Sequence, residues 1–509
     1  MNRRLSFILA FGLTAALCVL GSAQAAIIYV NRDNSCPGDG SSGTPYCSIQ
    51  NAFNAVKPGD NIRIRKASTP YDQSASVAVS GTATAPITLE ADDPANPPII
   101  RYTGNGSQTA AIRLANVDYW TIQNLVFDGT GIWTSSMAVW VQGDNWFRGI
   151  NRDQVGIQIL NNIFKNWGGT EAQINSVWPN GAKALNIGGG WGPPTNANLP
   201  NGTVIRGNIF DGNRHISIEM TSTKNSIVEN NEFKNLTCGI QNDGAGGKAV
   251  VTNGIHTISG TTGVGTGDLY RRNTFHDFQS PTLCGLTQTS GAYTEMSAIH
   301  VDVGPANGVI DENTVWNLDP ANSKPQVIAL FVEQDDYGWI VKNNVIHDVG
   351  LMGIRHNPST IGPVSQYLNN TIYNIKGYGI QLWSGNAVVK NNIFANAGIA
   401  QIQVTPNAVS QGNLTINYND YWDNAGGTKV GLWNATGGTA VNFSTWKASC
   451  RCDANSLNAD PLFVNPPSDF HLQPSSPALG AGEGGVDMGA YTTIAPSPPT
   501  NLRVIQILP

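Results

Sequence analysis

Apolar residues alternate with polar ones in short runs, and the same run keeps returning. TIQNLVFDG, QILNNIFKN, VIRGNIFDGN, IVENNEFKN, LYRRNTFHD, VIDENTVWN, IVKNNVIHD, QYLNNTIYN and VVKNNIFAN share this pattern, followed by a weaker copy, INYNDYWDN. β-Branched and apolar residues at every second position predict strands; no 3.6-residue helical period appears. The shared asparagines are Asn124, Asn162, Asn208, Asn231, Asn273, Asn313, Asn344, Asn370, Asn392 and Asn419. Their spacing falls to 22 (Asn370 to Asn392) and reaches 46 (Asn162 to Asn208). A variable period with a firm minimum means one coil of fixed circumference that sometimes carries a loop. The expected fold is therefore all-β, a single-stranded right-handed parallel β-helix, with the hand set by the usual crossover sense. Asparagine at a bend tolerates left-handed backbone, and stacked asparagines can join in a side-chain ladder.

An open coil needs its ends covered. Residues 48–56 read as one amphipathic helix, with Ser48 as N-cap and Ile49, Ala52, Phe53 and Val56 on one face. After Asn419 the repeats lapse, and DPLFVNPPSDFHLQPSSPAL reads as an irregular cap. The expected boundaries are a leader over 1–25, an N-terminal region over 26–100 and the β-helix with inserted loops over 101–425. The cap over 426–494 and a Pro-rich tail over 495–509 complete the chain.

The leader changes the compartment. Arg3 and Arg4 precede an apolar run from Leu5 to Leu20, and Ala23-Gln24-Ala25 suits signal-peptidase cleavage near Ala25. The chain is thus expected to be secreted or periplasmic, without a membrane span. Six further cysteines, Cys36, Cys47, Cys238, Cys284, Cys450 and Cys452, form an even set fit for disulfides, with Cys36–Cys47 the first expected pair. A net charge of −6 with 13% charged residues excludes the basic footprint that nucleic acid requires. No organic cofactor motif is present, and a monomer is expected.

The opening IYVNRDNSCPGDGSSGTPYCSIQNAFNAVKPGDNIRIR, the repeats, and the DPLF…DFHLQPSSPAL…DMGAY ending resemble bacterial pectate-lyase-like β-helix proteins. The resemblance spans nearly the whole mature chain. It implies a protein that works on a polysaccharide: lyase, glycoside hydrolase, epimerase or non-catalytic surface protein. Neither the DPHD motif of mannuronan epimerases nor a match to chondroitinase-B-type alginate lyases is present.

Stacking turns alignment into a spatial expectation, because adjacent coils lie about 4.8 Å apart. Aligning AIHVD (298–302), ALFVE (329–333), GIRHN (353–357) and GIQLW (379–383) points Ile299, Leu330, Ile354 and Ile380 inward, together with Val301, Val332, His356 and Leu382. One outward column reads His300, Phe331, Arg355, Gln381; the next reads Asp302, Glu333, Asn357, Trp383. Upstream, Ser217 and Gln241 would extend the first column, and Glu219 and Asp243 the second. Inserts over 168–182, 243–267 and 279–296 would wall this face with Trp178, Lys248, His256, Tyr293 and Glu295. Trp383, Phe331 and Tyr337 are the expected sugar stackers, with Gln381 beside them. His276 and His347 read as turn residues, and His471 as part of the cap.

The resemblance implies β-elimination on a uronate polysaccharide. Asp243, Asp302 and Glu333 would hold calcium against the substrate carboxylate, Arg355 or Lys248 would be the base, and His300 would assist. The alternative is a glycoside hydrolase using paired carboxylates such as Asp302 and Glu333. The third expectation is a polysaccharide-binding or surface-matrix protein without turnover.

Overall fold

The alternating runs fold as strands of three long parallel sheets, each coil adding one strand to each sheet. The computed structural model describes residues 25–102, 110–130, 136–143, 152–167, 183–188, 197–237, 239–242, 248–278, 294–319, 327–334, 336–358 and 362–491. Within them the sheets hold 13, 13 and 12 strands. The first runs from Ile27–Val30 to Leu414–Asn417, the second from Ala75–Val77 to Gly431–Trp433, and the third from Tyr71–Asp72 to Asp420–Trp422. These sheets make a parallel β-helix. No described helix is long and apolar enough to cross a membrane. The leader and the Pro-rich tail lie outside the described residues.

Two internal ladders hold the coils in register. Asn162, Asn208, Asn231, Asn273, Asn313, Asn344, Asn370, Asn392 and Asn419 stack in one buried column. Each Nδ2 donates to the next Oδ1, at 2.9–3.1 Å. Each Nδ2 also donates to a backbone carbonyl of the preceding coil, as Asn313 does to Tyr270 at 2.9 Å. A buried amide is costly when unpaired, and here donors and acceptor are all used. The ladder stops at Asn419, whose backbone N donates to Ser456 Oγ at 2.9 Å instead of to a further asparagine. Beside it, Phe127, Phe164, Phe210, Phe233 and Phe275 stack with ring centroids 4.6–5.0 Å apart.

Asn124 does not belong to the amide column. It takes the left-handed position, φ 57°, that Asn161 holds one coil on, and the ladder slot there is filled by Leu125, whose N donates to Asn162 Oδ1. The bend and the ladder are separate roles of two consecutive residues. The first, as in Asn343, Asn369 and Asn391, turns the chain at positive φ, and the second stacks.

In the second sheet, pairing passes over one position in successive coils: Ala111, Ala138, Ala184, Ser217, Gly254, Ala298, Ala329, Gly353, Gly379 and Gln401. All but the last are small. A Cβ on Gly353 would stand 2.6 Å from the Gly379 carbonyl oxygen, so the coils approach too closely there for a side chain.

The lid forms as the sequence requires. Ile49–Ala55 is helical, Ser48 Oγ accepts from Asn51 N at 3.2 Å, and Ile49, Ala52 and Phe53 are buried. Cys36 and Cys47 are disulfide-bonded, as are Cys450 and Cys452, whereas Cys238 and Cys284 lie outside the described residues. At the other end, Trp446 of the helix Phe443–Cys450 is fully buried, and its indole N donates to Asp453 at 2.6 Å. The chain then folds back over the third sheet, where Phe463, Phe470, Leu472 and Met488 pack on Val345, Ile393 and Ala395.

His276 and His347 are strand residues, not turn residues. They share an outward column of the third sheet with Trp316, and His276 stacks on it at 4.5 Å. The run TFHDF continues as a five-residue strand past the histidine, so the bend falls later. His471 does sit in the cap, stacked on Tyr491.

Candidate active site

The second sheet carries the expected face. His300 pairs with Phe331, Phe331 with Arg355 and Arg355 with Gln381; Glu333 pairs with Asn357. The inward set is buried throughout, including His356, whose Nδ1 lies 2.8 Å from Tyr367 Oη and whose Nε2 lies 2.8 Å from the Gly385 carbonyl. Burial pushes this imidazole down to about 4. It is a satisfied core histidine.

Upstream the register differs from expectation. Glu219 lies in the first column, paired with His256, and His256 pairs with His300. The segment GIQN is not a coil strand; it runs antiparallel to the strand Lys248–Ile258 as a side hairpin. The coil passes instead through NGIHTI, so His256 sits in the sheet and the insert is shorter than expected. The shared Ile-His pair of GIHTI and AIHVD was the available signal.

These columns bring oppositely charged groups together in a shielded place. His256 Nε2 lies 3.5 Å from Asp302 Oδ2, and its Nδ1 lies 3.9 Å from Glu219 Oε2. Lys183 pairs with Glu219 from the next coil. His300 Nδ1 lies 2.7 Å from Glu295 Oε1, and its Nε2 lies 3.5 Å from Glu333 Oε1. The two imidazoles stand 5.2 Å apart. Burial alone would lower their pKa values, but the carboxylates outweigh it: Asp302 and Glu219 raise His256, and Glu295, Glu333 and Asp302 raise His300 well above its usual range. In return, and against burial, Lys183 lowers Glu219, His300 lowers Glu295 and His256 lowers Asp302.

Beside this cluster, Arg355 lies over two rings, 5.1 Å from the Phe331 centroid and 5.3 Å from that of Trp383. Phe331 is fully buried, stacked between His300 and Arg355, so it supports the guanidinium and offers no face for a sugar. Trp383 is partly exposed. Gln381 is nearly buried, donating to Gln403 Oε1 at 2.5 Å. Tyr337 stands outside the strands, bridged to Ala306, with space for no side chain between its ring and Gly362. Of Lys248 only the backbone is described, paired with Asn242, and Asp243, Trp178 and Tyr293 lie outside the described residues.

Calcium takes six to eight oxygen ligands. Among the described residues, Asp302 and Glu333 each face an imidazole nitrogen, a donor set that does not fit that ion.

Three sheets of this kind, coiled about one core, are a parallel β-helix. No family model matches the chain, and no curated protein matches its sequence. Among solved structures, it is similar to XylC in complex with xylose: 11% identity over 86% of this chain and 87% of that one, TM-score 0.50. It is also similar to the GH136 lacto-N-biosidase from Eubacterium ramulus, with 14% identity over 77% of this chain and 67% of that one, TM-score 0.46. A third is the PL6 family alginate lyase AlyGC, with 15% identity over 92% of this chain and 59% of that one, TM-score 0.48. At such identities the likeness is one of fold.

Proposed function

We propose that the protein is a secreted polysaccharide lyase that cleaves a uronate-containing polysaccharide on the outer face of the second sheet. The observation that carries this reading is the Arg355 guanidinium held over the Phe331 ring beside the partly exposed Trp383, next to the carboxylate of Glu333 one coil away. A uronate carries a carboxylate for the guanidinium and a ring face for the tryptophan. The two aromatic rings stabilise Arg355 in its charged form, so we assign it to binding the substrate carboxylate rather than to the role of base. Export agrees with the leader and with the two disulfides.

β-Elimination then needs one group to move a proton. We assign this to Glu333, whose described contacts, with His300 and Gln334, both use Oε1. Its carboxylate takes the proton from the carbon beside the bound carboxylate. The freed electron pair forms a C=C bond, the neighbouring C–O bond breaks, and the leaving oxygen receives the proton back from Glu333. A hydrolase would instead need a carboxylic acid held protonated on this face. The carboxyls that the cluster shifts, Glu219, Glu295 and Asp302, all move down. Asp336 is pushed well up by burial and by Asp302, but it is fully buried and accepts from Gly304 N at 2.8 Å.

The test is a panel of acidic and neutral polysaccharides read by the absorbance of unsaturated uronates and by new reducing ends. Absorbance with reducing ends, lost in Arg355→Ala and Glu333→Gln, supports the lyase. Reducing ends without absorbance mean a hydrolase, and binding without either means a non-catalytic polysaccharide binder.

A further inference from the structure

We infer that His256, His300 and Asp302 form a binding site for one divalent transition-metal ion of the zinc type. This is independent of the polysaccharide reading and rests on geometry alone. The three side chains come from two adjacent coils, with His300 and Asp302 two residues apart on one strand and His256 paired with His300. One ligand atom from each lies within 4.8 Å of the other two. The His256 Nε2 to Asp302 Oδ2 edge is 3.5 Å, against about 3.4 Å for the edge of a tetrahedron with ~2.1 Å bonds to nitrogen and oxygen.

A second observation points the same way. The His300 side chain is 97% buried by the 3% exposure it retains, and neither of its ring nitrogens makes an aligned hydrogen bond. His256 Nδ1 and Asp302 Oδ1 are also buried without one. An ion at the centre would engage His300 Nε2, a buried polar atom of the kind native interiors rarely leave without a partner. The outer groups complete the picture. His300 presents Nδ1 to Glu295 at 2.7 Å and His256 presents Nδ1 to Glu219 at 3.9 Å, leaving Nε2 of each ring for the ion. Metal-bound imidazoles characteristically hold their second nitrogen against a carboxylate, which fixes the ring and makes it a better ligand. Glu333 Oε1, 3.5 Å from His300 Nε2, stands beside the fourth position. Two nitrogens and one oxygen select zinc, cobalt, nickel or copper over calcium and magnesium.

The experiment titrates the chelator-stripped full chain with Zn²⁺ against a chromophoric competitor, and separately records the visible spectrum after Co²⁺ is added. One tight equivalent is expected, with the intense absorption of four-coordinate cobalt and no competition from a thousandfold excess of Ca²⁺. His300→Ala and Asp302→Asn should each weaken Zn²⁺ binding at least 100-fold. Asp302→Asn keeps the side chain's shape, so it remains informative where His300→Ala fails to fold. Binding that is absent in the unaltered chain, or that persists at full strength in a folded Asp302→Asn variant, overturns the site.

Discussion

His256 and His300 hold the same place on successive coils, 5.2 Å apart, and each turns one ring nitrogen toward a different carboxylate partner, Glu219 and Glu295. Two imidazoles at that distance can both take up protons only where counter-charges alternate with them. The sheet supplies the alternation, and the outer face depends on its being kept.

Trp383→Ala is expected to raise KM for the polysaccharide severalfold while leaving thermal stability nearly unchanged, since the ring is partly exposed and packs chiefly on Arg355. Steady-state kinetics beside a melting curve would check both halves. An unchanged KM would remove Trp383 from substrate contact.

Asn313→Ala should cost about 3 kcal/mol. It removes the donors to Asn344 and Tyr270 and leaves the Asn273 backbone N and Nδ2 without an acceptor in a dry interior. Denaturant midpoints read through a probe on the central coils would show it.

Gly353→Val should be at least as damaging, for a steric reason. The added Cβ meets the Ile372 side chain at 2.7 Å and the Gly379 carbonyl oxygen at 2.6 Å, and that oxygen is backbone, which cannot move without shifting a coil. Ala329→Gly, in the same column, should cost about 1 kcal/mol or less. Comparing the two melting temperatures separates crowding from a general intolerance of change.

Asp420 gives a pH signature. Burial pushes its carboxyl up to about 7, with Oδ1 accepting from Ala459 N at 3.1 Å. In the unfolded chain it ionises near 4, so the folded state resists ionisation, and stability falls as pH rises from about 4 to about 7. Asp420→Asn cannot ionise. Its stability relative to the unaltered chain should therefore grow across that window, by about 4 kcal/mol at most, and level off above it. A constant difference from pH 4 to pH 8 would contradict this.

The fold was legible because its determinants repeat. Alternation, the asparagine spacing and the Ser48-capped lid each recur or stand beside a clear signal, and the Cys36–Cys47 pair is local. The register from 298 to 382 could be read because each of those strands alternates inward residues, all aliphatic but His356, with outward ones, and no insert interrupts the alternation within a strand. It failed where the chain leaves the coil. GIQND looks like a coil strand by alternation, and nothing local says that it belongs to a hairpin while GIHTI carries the sheet onward. Burial of the outward column was not readable either, since period-two patterning says which way a side chain points and not what covers it. That is why Phe331 read as a sugar stacker, although it supports Arg355. The double asparagines hid two roles, because both residues of the pair are favourable and only the backbone angle tells them apart.

The asparagine column is a template with a polarity. Each coil presents the acceptor for the donors of the coil before it, so a free last coil would hold out unpaired donors to any chain bearing an amide oxygen at that step. Ser456 fills that step. Its hydroxyl accepts from the Asn419 backbone N and donates in turn to Asp453, while Asn419 Nδ2 keeps its carbonyl partners Val389 and Asn417. The cap thereby acts as a chain terminator: it fixes where the solenoid stops and keeps one molecule from becoming the seed on which the next one grows.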